Sequence, residues 1–287
     1  MSSIKVGFIG LGNIGLPIAK SLAKRGVPLT VYGRRQEVVE EMKALGAAVA
    51  GSPREMAAAA DVVISVVRDI PETEEIIFGK DGVWESIQEG ATIVIASTVS
   101  PEYCRELYAK AKNKGVRVID VGLSKSRPAN EEGEFTLMVG GDEDAVQRCR
   151  PVFEAIARHI FHLGGIGTGQ TYKLVNQLAL MSISTITCEC LNLGLKAGLD
   201  LQKMIDVMRV STGNSWRLQN LDYKLKSQKV SAAAQAPGRS TGAKDRALAM
   251  DLAEKVDANT PVLRFIDGLD METAYDAYSA RMRHFFK

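Results

Sequence analysis

The sequence holds little from which a metal site or a disulfide framework could be built. Among its 287 residues are four cysteines, Cys104, Cys149, Cys188 and Cys190, and no two form a Cys-x-x-Cys pair. Its three histidines, His159, His162 and His284, are scattered. No metal is therefore expected, and the cysteine usage fits a reducing compartment. His159 and His162 flank a short apolar strand, which suits structural roles. Charge of one sign is also lacking. Lys and Arg total 36 against 34 Asp and Glu, for a net charge of +2, and no basic run of the kind that binds nucleic acid occurs. No uninterrupted apolar stretch reaches the ~18 to 20 residues of a membrane span. The opening residues lack the basic and apolar regions of a secretion signal and run directly into a strand. The expectation is a cytoplasmic protein with no membrane or nucleic-acid partner.

What is present is ordinary globular material, 46% apolar and 24% charged. The length exceeds that of a usual single core and predicts two domains. Lys5 to Ile9 reads as a short buried strand. Gly10, Leu11, Gly12, Asn13, Ile14 and Gly15 follow at once, and Leu16 to Arg25 has helical apolar spacing. In a strand, Gly-x-Gly-x-x-Gly, helix arrangement the first glycine permits the tight turn, the second a close approach to a pyrophosphate, and the third helix-on-strand packing. The free N–H groups and dipole of the helix N-terminus favour phosphate. A second strand, Pro28 to Tyr32, leads into Gly33-Arg34-Arg35-Gln36 with no acid to take a ribose 2′-hydroxyl. Arg34 and Arg35 suit a 2′-phosphate instead, which favours NADP with NAD still possible. The other reading is a solvated surface pair.

Alternation continues with strands at Asp61 to Val67, Ala91 to Ala96, Val116 to Asp120 and Phe135 to Val139. Helices are expected near Pro53 to Ala60, Pro71 to Phe78, Pro101 to Lys114 and Asp142 to Arg158. This is the α/β pattern of a Rossmann-type, doubly wound, largely parallel sheet. Ligands bind beyond the C-terminal ends of such strands. That makes Val67 and Thr98 ligand candidates, while Ser100 before Pro101 reads as a helix cap. From Thr168 onward strand signals nearly vanish. Gln170 to Ala197 predicts a long helix with so little charge around it that it must bury against other helices or another subunit. Shorter helices fit Leu201 to Val210, Ser215 to Lys226, Ala243 to Asp257 and Thr260 onward, with a loop over Ser231 to Thr241. The expected division is 1–163, a nucleotide-binding domain, and 164–287, an all-helical domain.

The Gly-rich turn from Gly164 to Gly169 opens the long helix, and Lys173, Asn176 and Gln177 share one face of it. One proton-transfer group and two amides on one face make a carbonyl site plausible. A Lys near a helix start with a solvated face is the plainer alternative.

These residues together resemble the β-hydroxyacid dehydrogenase family over nearly the whole chain. The family's Gly-Leu-Gly-x-Met-Gly loop is matched at Gly10 to Gly15, with Ile14 for Met. Its Asp-x-Pro-Val-Ser-Gly-Gly segment and Met-Val-Gly-Gly strand are matched in length by Asp120 to Gly141, with Ser124 in place. Its Gly-x-x-Gly-x-Gly-x-x-x-Lys-x-x-Asn-Asn segment is matched by Gly164, Gly167, Gly169, Lys173 and Asn176, with Gln177 for the last Asn. The Lys-Asp pair Lys244-Asp245 and the Ser-Trp pair Ser215-Trp216 also correspond.

The resemblance implies a Rossmann-type domain, a long interdomain helix and an all-α domain, in dimers or tetramers. It makes Lys173 the acid/base, Ser124 and Asn176 substrate ligands, and Lys244 and Thr98 cofactor neighbours. Gln177 would orient the substrate and the Lys. Burial or nearby cations (Lys125, Arg127 or Lys244) are expected to lower the Lys173 pKa. The sequence departs from the family where Gly122 replaces the proline, and where Lys125-Ser126-Arg127-Pro128 follows Ser124. The added cations fit a substrate with an extra or bulkier anionic group. The alternative has them facing solvent or the cofactor phosphates. The expected activity is NADPH-dependent interconversion of a small anionic aldehyde or ketone and its hydroxy acid. Rival readings are an imine or neutral-carbonyl reductase, a branch that usually lacks the motif Lys, and a non-catalytic NADP-binding sensor.

Overall fold

The computed structural model describes residues 4–125, 135–221 and 241–269. The chain divides into two compact units, Met1–Lys173 and Leu174–Lys287, so the division falls within the long helix.

The first unit is built on one eight-stranded sheet. Its strands are β1 (Val6–Ile9), β2 (Leu29–Tyr32), β3 (Ala48–Val49), β4 (Val62–Ser65), β5 (Thr92–Ile95), β6 (Arg117–Lys125), β7 (Phe135–Gly140) and β8 (Ala157–His162). The order across the sheet is β3-β2-β1-β4-β5-β6-β7-β8. β7 runs antiparallel to β6 and every other pairing is parallel. Side chains alternate across a strand, and here alternate residues feed two separate cores. Phe8, Ile64 and Val94 meet α1 (Gly15–Lys24), α2 (Gln36–Ala44) and α6 (Glu143–Glu154) on one face. Ile9, Val63 and Ile95 meet α3 (Pro53–Ala57), α4 (Ile70–Phe78) and α5 (Pro101–Lys112) on the other. Burial on both faces explains why β1, β4 and β5 read as unbroken apolar runs.

The long helix, α7, runs Thr168–Lys196. In the helical unit Leu174, Leu178 and Met181 of α7 pack on α10 (Thr241–Lys255) and on Leu263 of α11 (Pro261–Asp267). Further along, Leu191 packs on α8 (Leu201–Arg209) and on Leu218 of α9 (Trp216–Gln219). α7 departs from the expectation that no segment has the length and apolarity of a membrane span. Among the described residues α7 is long and apolar enough, by length and composition alone, to cross a membrane. Serines and threonines interrupt its apolar run without adding charge, so no unbroken apolar stretch marks it in the sequence. The core contacts of Leu174, Leu178 and Leu191 are those of a domain helix. Val175, Ile186 and Leu193, by contrast, are exposed.

Other differences are local. α2 and β3 had not been expected, and β6 runs on through Lys125. The segment expected as helix to Arg158 turns into β8 at Ala157. All four cysteines are free, with Cys104 and Cys149 buried. Ser126, Arg127, Pro128, the loop expected over Ser231 to Thr241 apart from its last residue, and the far ends of the helices expected from Ser215 and Thr260 lie outside the described residues.

Candidate active site

The nucleotide loop joins β1 to α1. Gly10 has φ +100°, and a Cβ there would collide with the Val66 carbonyl after β4. Only glycine lets the β1 and β4 ends close on each other in this way. Over Gly12 there is open space, with nothing within 4 Å of where a Cβ would stand. Leu11 is buried beneath, and Asn13 and Ile14 are exposed. The N-cap residue of α1, Ile14, provides no side-chain cap, whereas Ser52, Asp69 and Ser100 cap α3, α4 and α5. A bare helix N-terminus beside an open glycine cradle fits a dinucleotide pyrophosphate.

Arg34 and Arg35 follow β2. Arg35 donates to the Leu11 carbonyl at 2.7 Å and so braces the glycine loop. Arg34 donates to Glu72 Oε1 at 2.5 Å. Burial raises the Glu72 pKa, but the Arg68 N–H, the Arg34 hydrogen bond and the two guanidinium charges outweigh it, and the net shift is downward.

The loops after β4 and β5 are tied together and to α7. The Val67 N–H donates to Ser97 Oγ at 2.8 Å. Gln170, fully buried in the first turn of α7, accepts from the Val99 N–H at 3.2 Å and donates to the Ser97 carbonyl at 3.0 Å. Thr98 sits half-buried within this loop. Ser100 accepts from the Tyr103 N–H as the cap of α5, as its position before Pro101 predicts.

The start of α7 is anchored on β6. Asp120 is fully buried, and its two carboxylate oxygens accept the N–H groups of Gly167 at 2.6 Å and Gln170 at 2.7 Å. This is a carboxylate cap supplied from another element, where the helix dipole favours negative charge. Burial pushes the Asp120 pKa up, and the two N–H groups and Arg105 offset only part of that rise. One turn along, Lys173 is 8% exposed. Its stem lies against Gly122, where a Cβ would stand 2.6 Å from Lys173 Cβ.

Asp120, Gly122 and Ser124 are two apart on one strand and so share the face of β6 that meets α7. Lys125 belongs to the opposite face, and its Nζ lies 5.9 Å from the centre of the Phe135 ring. Burial lowers its pKa. The strand thus directs Ser124 toward the Lys173 side and Lys125 away from it.

In the helical unit, Gln177 donates to Asp245 Oδ2 at 2.6 Å, and Lys244 Nζ lies 3.2 Å from Asp245 Oδ1. Asp245 is 2% exposed. Asn176 is half-buried on α7.

Residues 5–164 match the family model described as the NAD binding domain of 6-phosphogluconate dehydrogenase. Residues 167–281 match that described as NAD-binding of NADP-dependent 3-hydroxyisobutyrate dehydrogenase. The chain is 36% identical over 215 residues to an NAD-dependent L-serine dehydrogenase of Pseudomonas aeruginosa, covering 75% of this chain and 72% of that one. It is 35% identical over 216 residues to the mitochondrial 3-hydroxyisobutyrate dehydrogenase of Mus musculus, covering 75% of this chain and 64% of that longer one. The chain belongs to the β-hydroxyacid dehydrogenase family.

Members of the β-hydroxyacid dehydrogenase family are NAD(P)-binding oxidoreductases, and the resemblance seen in the motifs is thereby established. The fold agrees. A crystal structure of 3-hydroxyisobutyrate dehydrogenase from Salmonella typhimurium superposes with a TM-score of 0.81 at 26% identity, covering 96% of this chain and 95% of that one.

Three residues with evident work at this site had no role in the sequence reading: Asp120, Gln170 and Glu72. The first two lack a local signal, because their partners lie 47 or more residues away. Glu72 reads as an ordinary first-turn acid of α4.

Proposed function

We propose that this protein is an NADPH-dependent oxidoreductase that interconverts a small anionic aldehyde or ketone and its hydroxy acid. The observation that carries the reading is the buried Lys173 on a helix anchored to the cofactor-side strands by Asp120 and Gln170. When bound, the reduced nicotinamide supplies a hydride. Lys173, as ammonium, hydrogen-bonds the substrate oxygen and donates the proton that makes it a hydroxyl; in the other direction it is the base. Ser124, on the β6 face that meets α7, and Asn176, a turn beyond Lys173, hold the substrate. Gln177, bonded to Asp245, orients this part of the helix. Lys125, on the other face of β6, is left out of the substrate group.

The family relatives support hydroxy-acid chemistry, since those aligned above are named for L-serine and 3-hydroxyisobutyrate. NADP is favoured by Arg34 and by the absence of an acid after β2, although the Pseudomonas aeruginosa relative is named NAD-dependent. The exposed apolar residues Val175, Ile186 and Leu193 of α7 support a homodimer or homotetramer that covers them. A cytosolic location goes with the four free cysteines.

The test is cofactor oxidation against glyoxylate, succinic semialdehyde, tartronate semialdehyde, sulfolactaldehyde and a neutral aldehyde, with NADPH and with NADH. Turnover confined to the acidic carbonyls and faster with NADPH is the expected result. Turnover of the neutral aldehyde alone contradicts the substrate class, and equal use of NADH contradicts the cofactor preference.

A further inference from the structure

Glu72 gathers two arginines from two different loops. Its Oε1 accepts from Arg34 at 2.5 Å and from Arg68 at 3.2 Å, while its Oε2 accepts from the Arg68 N–H at 2.9 Å. Arg34 follows β2 and Arg68 follows β4, and those strands flank β1, which leads into the glycine loop. The pair therefore straddles the nucleotide cradle at the C-terminal ends of the strands, where ligands bind in such sheets. The exposures layer the cluster. The Glu72 side chain is 14% exposed, while those of Arg34 and Arg68 are 72% and 45% exposed. The carboxylate lies beneath and the guanidinium groups face outward. Two guanidinium groups converging on one oxygen would otherwise repel each other. With Glu72 ionised the three groups carry a net charge of +1, presented through planar donors that suit phosphate oxygens.

We infer that Arg34 and Arg68 form a two-arginine clamp for the 2′-phosphate of the cofactor, with Glu72 as the residue that positions both. This rests on the NADP reading above and adds Arg68 and Glu72 to it. The Glu72 carboxylate also repels a phosphate. Gathering the two cations outweighs this, because the carboxylate is the least exposed of the three groups and the cations lie between it and the ligand.

The test is calorimetric titration of adenosine 2′,5′-bisphosphate and of 5′-AMP into wild type, Arg34→Ala, Arg68→Ala and Glu72→Gln, alongside KM for NADPH and NADH. In wild type the bisphosphate should bind more tightly than AMP. Arg68→Ala should weaken the bisphosphate about tenfold and Glu72→Gln by roughly threefold or more, with AMP within about twofold in each. Unchanged AMP affinity also shows that the site is still folded. KM for NADPH should rise while KM for NADH holds. If Arg34→Ala alone weakens the bisphosphate, the clamp is wrong and the NADP reading stands. If Glu72→Gln tightens it, Glu72 opposes the phosphate and the inference fails. Equal affinity of wild type for bisphosphate and AMP overturns both the clamp and the NADP reading.

Discussion

Gly122 of β6 and Lys173 of α7 are packed so closely that a methyl group on the glycine would stand 2.6 Å from Lys173 Cβ and 2.8 Å from the Gly169 carbonyl. The strand and the helix that bears the proposed acid/base therefore meet without a side chain between them. Neither obstacle is the free end of a flexible chain. One is the root of the lysine and the other is helix backbone. Gly122→Ala should push the first turns of α7 off the strand and cost about 1–3 kcal/mol of stability by overpacking. Displacing the lysine should also cost turnover, of the order of 100-fold for a shift near 1 Å. Denaturant unfolding and kcat together check this. Wild-type values for both would mean that the contact does not set the helix position.

Asp120 holds that helix from its end. Asp120→Asn keeps one oxygen acceptor but turns an amide N–H toward a backbone N–H. Losing a charge-assisted bond and leaving a buried donor unpaired costs about 2–3 kcal/mol. An opposing effect reduces this. Burial raises the Asp120 pKa, so the folded protein already carries a penalty for the ionised form at neutral pH. The neutral amide escapes that penalty, so the net loss should be smaller than the bond alone suggests but still destabilising, read from the urea midpoint. A variant as stable as wild type would show that the cap contributes nothing.

Much of the first unit was legible in the sequence, because strands buried on both faces read as apolar runs and the glycine loop has a fixed place after β1. β3 was not legible, since it is two exposed residues, Ala48 and Val49. α2 was hidden because a mostly polar segment buries only Val38, Val39 and Met42. The Lys173, Asn176 and Gln177 face was legible from helical spacing. What fixes that helix in place was not, because the bonds of Asp120 and Gln170 join residues 47 to 75 positions apart and leave no periodic trace. Lys125 shows a different limit. As a cation in place of the family's glycine it suggested a site for an extra anionic group, but alternation along β6 puts it on the face opposite Ser124, which the residue type alone does not reveal.

The Glu72 cluster gives a pH prediction. The Glu72 pKa lies below its ordinary 4.5 in the folded protein. A lowered carboxylate pKa contributes stability that is present above the unfolded value and is lost as pH falls through the folded one. The melting temperature of wild type should therefore exceed that of Glu72→Gln at neutral pH. The gap should shrink as pH drops below 4.5. Thermal melts of both proteins across that range check it. A gap that widens toward acid would reverse the sign of the shift.

The central claim is that Lys173 moves the proton. The measurement that tests it most directly is steady-state turnover of Lys173→Ala with NADPH and whichever acidic carbonyl the wild type reduces, alongside KM for NADPH. The account predicts a fall in kcat of about 100- to 10,000-fold, the usual range for a positioned acid/base, with KM for NADPH little changed. Turnover near the wild-type rate would contradict it and leave Lys173 as a buried structural residue of α7.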